Sequence, residues 1–306
     1  MGRFCGEALT RRSVLALGLG TLGVAAQETP VFKVDVRLVR LLATVKRPDG
    51  QLVGGLDRSD FLIEDSGVRQ EVALFERQTE QPLSIVLLID TSASTAKDLK
   101  YEVDSAARFL RAVVREGHGA DALSLYSFNH DVTQQTGFTR DPRRIQRALA
   151  RLKAEAGTSL YDAFTFAAEA LEPREGRKVI VVVTDGGDTT SARTYHQALR
   201  SIHSADAILY SIVVMPITND AGRNTGGENA LVTMSRSTGG RVFFPSIGPT
   251  LDSAFTEILR DLRTQYLIGY YPRNLPPAPP NRFRSIRLSV QQPDLQAFSR
   301  GGYYGE

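Results

Sequence analysis

Cysteine is almost missing. The 306 residues hold one, Cys5. It precedes an apolar leader stretch rather than following it, so it is not a lipoprotein cysteine. Beyond the leader there is no disulfide and no thiol chemistry, and stability must come from packing. Histidine is scarce too. His118, His130, His196 and His203 show no ligand spacing and read as surface or helix-face residues, which leaves zinc- or copper-type centres without their usual donors. No Walker loop, nucleophile elbow or zinc motif occurs. One G-x-G-x-x-G string, Gly18 to Gly23, follows no strand and lies in the leader, so it is not a nucleotide loop. A strong charge bias is also absent. Lys and Arg number 37 against 34 Asp and Glu. The first 26 residues carry three of the former and one of the latter, which leaves +1 for the rest. That balance argues for neither a nucleic-acid nor an anionic-membrane partner.

What is present begins with that leader. Arg3, Arg11 and Arg12 form a positive start, Val14 to Ala26 is mildly apolar, and Gly23-Val24-Ala25-Ala26 offers small residues for cleavage. The apolar part is too short and too weak to span a membrane, so residues 1–26 read as an export signal. Thr10-Arg11-Arg12-Ser13-Val14-Leu15 resembles the twin-arginine signal of bacteria. An exported, periplasmic or extracellular protein is expected, with no transmembrane segment after the leader. The composition beyond it, 42% hydrophobic and 23% charged for the whole chain, supports a sizeable core.

Residues 31–82 are predicted to be β-rich. Phe32, Val34, Val36 and Leu38 alternate with polar residues, and Arg47-Pro48-Asp49-Gly50 and Asp65-Ser66-Gly67 are turns. From Leu83 to Thr264 the rhythm changes to strand, helix, strand, helix, which predicts a doubly wound, Rossmann-like, mostly parallel sheet. Its first strand, Leu83 to Asp90, is an unbroken apolar run closed by a carboxylate, the pattern of a strand covered on both faces. Val179 to Asp185 repeats it. Pro216 to Glu228 is polar and rich in Gly and Asn, and is predicted as a surface loop. Residues 265–306 return to β character. They are expected to pair with residues 31–82 in a smaller β-sandwich, into which the α/β domain is inserted, since neither end is long enough to bury much surface alone.

Ligands of such sheets bind beyond the carboxyl ends of the strands. Three loops bring oxygen there: Asp90-x-Ser92-x-Ser94, Thr158 at a helix start, and Asp185 after its strand. Carboxylates and hydroxyls suit a hard cation, Mg²⁺ above all, with Mn²⁺ or Ca²⁺ as alternatives. Two carboxylates balance a dication, and a third from another molecule could fill a vacant position. A single Ser or Thr after a strand is commonly a helix cap; the joint pattern is what argues for a site. Asp188 reads as a loop or cap residue. Tyr270, Tyr271, Tyr303 and Tyr304 read as ordinary strand formers.

Asp90-Thr91-Ser92-Ala93-Ser94 resembles the D-x-S-x-S of von Willebrand factor A domains, their metal-ion-dependent adhesion site. Gly157-Thr158-Ser159 is similar to that family's second loop, and Thr184-Asp185-Gly186 to its third. The three stand in family order within a β-α pattern, over roughly residues 82–263. The leader, β-rich flanks and Gly-Tyr-Tyr ending together resemble bacterial VWFA-related proteins known from acidobacteria. The resemblance implies a non-enzymatic adhesion module. In it Ser92, Ser94 and Thr158 coordinate Mg²⁺ through hydroxyls, Asp90 and Asp185 act directly or through water, and a partner protein supplies an Asp or Glu. An envelope module with a merely stabilising metal is the alternative. Leu88-Ile89-Asp90-Thr91-Ser92 also superficially resembles the motif of aspartic proteases, whose dyad needs two carboxylates sharing a proton. That fold is all-β, however, and Ser92 stands where the motif has glycine.

Overall fold

A computed structural model describes residues 38–77, 80–214, 224–245 and 249–305. The leader, and the alternation from Phe32 to Arg37, lie outside the described residues.

The central sheet has six strands, in the order β10-β9-β8-β5-β6-β7. These are β5 (Leu83–Asp90), β6 (Ala122–Phe128), β7 (Val132–Thr139), β8 (Arg177–Thr184), β9 (Ala207–Val213) and β10 (Val242–Phe243). All neighbours are parallel except β6 and β7, which form an antiparallel hairpin. Every residue of β5 is buried, because helices cover both sides. Ile85, Leu87 and Ile89 face a core shared with α1 (Leu99–Glu116), α2 (Pro142–Leu149) and α6 (Pro249–Arg263). Val86 and Leu88 face the opposite core, shared with α3 (Leu160–Leu171), α4 (Tyr195–Ser204) and α5 (Thr225–Ser237). Alternate side chains of a strand leave opposite faces, so a strand packed on both must be apolar throughout. Each such buried side chain contributes about 2 kcal/mol. Asp141 caps α2 by accepting from the Arg143 N–H at 2.9 Å, with Pro142 in the first helical position, where its missing donor costs nothing.

The flanking segments form two four-stranded antiparallel sheets. One has the order β13-β1-β11-β4, from β1 (Val39–Lys46), β4 (Val72–Glu76), β11 (Tyr266–Tyr270) and β13 (Gln296–Phe298). The other has the order β14-β12-β2-β3, from β2 (Phe61–Asp65), β3 (Val68–Gln70), β12 (Phe283–Val290) and β14 (Gly302–Tyr304). Leu41, Ile63, Ile268 and Ile286 meet in one core between them. The small β-sandwich expected from the two ends is therefore present, and each of its sheets takes strands from both ends. It is tied to the α/β domain by Lys46–Asp261 at 2.8 Å and Arg300–Asp206 at 2.7 Å.

Two local expectations need correction. The stretch expected as loop up to Glu228 is helical from Thr225, among the described residues. Asn224 caps the helix by accepting from the Gly227 N–H at 2.9 Å. Gly227 is required for a reason that composition hides: a Cβ there would lie 1.6 Å from the Gly186 carbonyl oxygen. His203 does lie on a helix, but on its buried face, against Phe283 and Tyr304.

Candidate metal site

The carboxyl ends of β5 and β8 are neighbours in the sheet, so Asp90 and Asp185 close adjacent strands. Asp90 is fully buried. Its Oδ1 accepts from the Ser92 N–H at 2.8 Å and its Oδ2 from the Thr184 hydroxyl at 2.6 Å. Burial pushes its carboxyl up to about 6. The Thr184 and Ser92 hydrogen bonds oppose that rise, and the charge of Asp185 adds to it.

The loop after Asp90 is shaped by its own side chains. Thr95 donates its hydroxyl to the Asp90 and Ser92 carbonyls at 3.1 and 3.0 Å. That folds the chain back and brings the Ser92 and Ser94 hydroxyls to 2.9 Å from each other. Ser92 is buried and Ser94 exposed, so the pair runs from the interior to the surface.

Thr158 stands between the other two loops. On one side the Glu155 N–H donates to the Thr91 carbonyl at 2.9 Å. On the other, the Thr158 N–H donates to the Thr189 hydroxyl at 3.0 Å, and the Thr158 carbonyl accepts from the Thr189 and Thr190 N–H groups. Gly157 makes the approach possible. Its φ is +86°, and a Cβ would sit 3.0 Å from His130 Cα. Asp185 is half-buried and accepts from the Gly187 N–H at 3.3 Å. Asp188 accepts from the Tyr161 N–H at 3.2 Å, in the first turn of α3, which is the capping role expected of it.

Sequence reasoning missed Thr184 and Glu102. Thr184 is a strand residue whose polarity is absorbed by Asp90. Glu102 lies on α1, three residues after Leu99 and four before Ala106, and so on the helix's apolar stripe; an acid there was a readable signal. It is 1% exposed, and neither carboxylate oxygen has a hydrogen-bond partner. Burial pushes its carboxyl well above the ordinary range, and the charges of Asp90, Asp98 and Asp185 push the same way.

Among the described residues, no three His, Cys, Asp or Glu side chains group as a metal cage. A cation here would depend on hydroxyls as well as carboxylates. That donor set is all oxygen and suits Mg²⁺, which tolerates few protein ligands and keeps water. The charge of Asp185 bears on the buried Asp90, and the hydrogen-bond donors to Asp90 are the uncharged Ser92 N–H and Thr184 hydroxyl, so a cation would relieve the two acids. The residues therefore fit a hard divalent ion.

Residues 85–187 match the family model of the von Willebrand factor type A domain. The chain carries a domain of that family. No curated protein matches it. Among solved structures it is similar to the vWF domain of the type V pili tip protein Mfa5 from Porphyromonas gingivalis. That match has 14% identity over 60% of this chain and 95% of that one, with a TM-score of 0.50. It is also similar to the pilus adhesin SpaC from Lactobacillus rhamnosus GG in its open conformation. Here the identity is 10%, over 81% of this chain and 47% of that one, with a TM-score of 0.51. BatB from Bacteroides thetaiotaomicron matches at 16% identity over 59% of this chain and 98% of that one, with a TM-score of 0.48. At 14% and 10% identity, Mfa5 and SpaC show a shared fold. That α/β fold removes the aspartic-protease comparison, which needs an all-β frame. Among the described residues no helix is long and apolar enough to cross a membrane.

Proposed function

We propose that the α/β domain is a non-enzymatic, cation-dependent protein-binding module working outside the cytoplasm. What supports this reading is that Asp90, Ser92 and Ser94 lie at the end of β5, that Asp185 follows the adjacent strand β8, and that the Thr158 loop hydrogen-bonds to the loops after both strands. Ser92, Ser94 and Thr158 offer hydroxyl oxygens, and Asp90 and Asp185 balance the charge of Mg²⁺ directly or through water. When bound, the cation supplies an electrophilic point for a carboxylate. The exposure of Ser94 and the half-exposure of Asp185 leave a surface on which an Asp or Glu of a partner protein can approach it. Two of the structural relatives are named as a pilus tip domain and a pilus adhesin, which agrees with a binding role. The leader with its Arg11-Arg12 pair supports export.

Isothermal titration with Mg²⁺ or Mn²⁺ tests the cation. Binding that Asp90→Ala abolishes is expected, and no binding by the wild type would sink the reading. A pull-down from envelope extract, with and without EDTA, tests the capture. A partner lost with EDTA is expected; identical partners in both arms would mean that any metal only stabilises the domain.

A further inference from the structure

Between the sandwich and the α/β domain lies a cavity of about 100 Å³, lined by Thr44 and Lys46 of β1, Phe298 of β13, Tyr210 of β9, Asp261 of α6, and Arg241, which precedes β10. None of these residues belongs to the candidate metal site. Strand alternation puts two of them there. Leu41, Ala43 and Val45 enter the sandwich core, so Leu42, Thr44 and Lys46 leave β1 on the other face, toward the α/β domain. Leu42 packs against the apolar core on that side, and an apolar residue would suit the next place too. The chain has Thr44 instead. It is 3% exposed, and its hydroxyl has no hydrogen-bond partner, although buried polar atoms are nearly always paired. The Tyr210 phenol is its polar neighbour, but the two do not meet in hydrogen-bond geometry. Donors outnumber acceptors around the cavity. The Asp261 oxygens are already taken: Lys46 Nζ lies 2.8 Å from Oδ1 and donates to Oδ2 at 3.0 Å, and Arg241 Nε donates to the same Oδ2 at 3.0 Å. Arg241 Nη2 donates outward to Glu257 at 2.6 Å. An ammonium has three N–H groups and a guanidinium five, so each keeps at least one donor beyond these contacts. Water would bring donors and acceptors in equal number; an anion brings acceptors alone.

We propose that this cavity binds a short-chain monocarboxylate, its oxygens accepting from the Thr44 hydroxyl, Lys46 and Arg241, and its apolar tail lying against Phe298. The volume is about three times a water's share of the liquid, room for a small organic acid and not for a peptide. The charges fix the class. Lys46 and Arg241 stand against Asp261 within and the half-exposed Glu257 outside, so no surplus is left to balance a dianion such as phosphate. A monoanion is held by hydrogen bonds from ionised donors, which are about twice as strong as those between neutral groups. Phe298 is exposed and borders the way in. The acid touches β1 and β13 on one side and the α/β domain on the other, so its binding fastens the two together. This site is independent of the cation reading above.

Propionate titrated into the full chain tests this, with EDTA present so that no carboxylate binds through a metal. Calorimetry and melting curves are read at constant ionic strength, with phosphate as the second arm. Saturable propionate binding is expected, with a melting temperature that rises with its concentration and no such rise in phosphate. Thr44→Val keeps the side chain's shape and removes the hydroxyl; Lys46→Met keeps the stem and removes the ammonium. Each is expected to weaken propionate binding about 10–100-fold, the usual effect of deleting one hydrogen bond to a charged group. Thr44→Val decides alone should Lys46→Met not fold. Asp90→Ala, in the cation site, should bind propionate as the wild type does. No propionate binding by the wild type overturns the proposal, and so does wild-type affinity in folded Thr44→Val. Equal binding of phosphate means a general anion site on the surface and overturns it as well. Loss of propionate binding in Asp90→Ala would move the acid to the metal site, with the same consequence. Mg²⁺ or Mn²⁺ binding stands or fails separately from all of these.

Discussion

Asp65 and Asp90 are both wholly buried, and each is the last residue of a strand, β2 and β5. Their surroundings differ in one respect. Asp65 sits in the β-sandwich, where three hydroxyls are directed at its oxygens, Tyr270 at 2.8 Å, Tyr303 at 2.9 Å and Ser66 at 3.0 Å. Burial and the Asp65 charge both push the two tyrosine hydroxyls upward, which keeps them as donors. Asp90 has two donors of its own, yet it stands beside the negative charge of Asp185. Nothing cationic from the protein balances that group among the described contacts. A buried carboxylate enclosed by hydroxyls holds two strands together. A buried carboxylate beside others at an open sheet edge is suited to an ion. Charge satisfaction, and not burial, separates a structural acid from a binding one.

The difference can be broken by mutation. Asp65→Ala leaves two tyrosine hydroxyls without acceptors and is expected to cost roughly 3–5 kcal/mol of stability in urea unfolding. Mn²⁺ affinity should not change in the protein that remains folded. A change of affinity would mean that sandwich and site are coupled. Asp90→Ala is the reverse case: cation binding should fall by more than about 100-fold, roughly 2.7 kcal/mol. In the absence of metal its effect on stability should be small, because the buried charge it deletes is itself unfavourable. A large loss of metal-free stability would place Asp90 with Asp65.

Acid should act on a third region. His203 packs in the contact between α4 and the β12 and β14 residues Phe283 and Tyr304, with ring centroids 5.2 and 6.4 Å away. Burial, with the Arg300 charge second, pushes it down to about 4. The folded chain thus declines a proton that the unfolded chain takes up near its ordinary value. Stability is full above that ordinary value and is lost as pH falls through it toward 4. At pH 5 the loss is about 2 kcal/mol. Urea melts at pH 7.5 and pH 5 should show that difference in the wild type and less of it in His203→Gln; equal acid sensitivity in both would assign the effect elsewhere. The smallest effect expected is that of Asn224→Ala. It removes one cap from α5 and should cost about 1 kcal/mol, read from the same melts, with no change in Mn²⁺ affinity.

Much of the fold was legible because the burial pattern is written in the strands. Leu83 to Asp90 and Val179 to Thr184 are apolar without alternation, and only a strand covered on both faces needs that. Ile286, Leu288 and Val290 alternate with Arg287 and Ser289, and β12 buries Ile286 and Leu288 on one face. The start of α5 was not legible. Asn-Thr-Gly-Gly has the composition of a loop, and the reason for Gly227 is a carbonyl far away in sequence, at Gly186. The inward placement of His203 was hidden for the same reason, since the aromatic residues that cover it come from the far end of the chain.

For the candidate site, spacing alone marked Asp90, Ser92, Ser94, Thr158 and Asp185, because each belongs to a local strand-end or helix-start pattern. Sequence determined which residues carry oxygen at the carboxyl end of the sheet, since strand polarity and helix starts are local properties. Only the tertiary structure decided that β5 and β8 are adjacent, that Thr158 lies between their loops, and that Glu102 has no partner. Adjacency of strands and desolvation of a side chain depend on what the rest of the chain packs against it, and no window of sequence contains that.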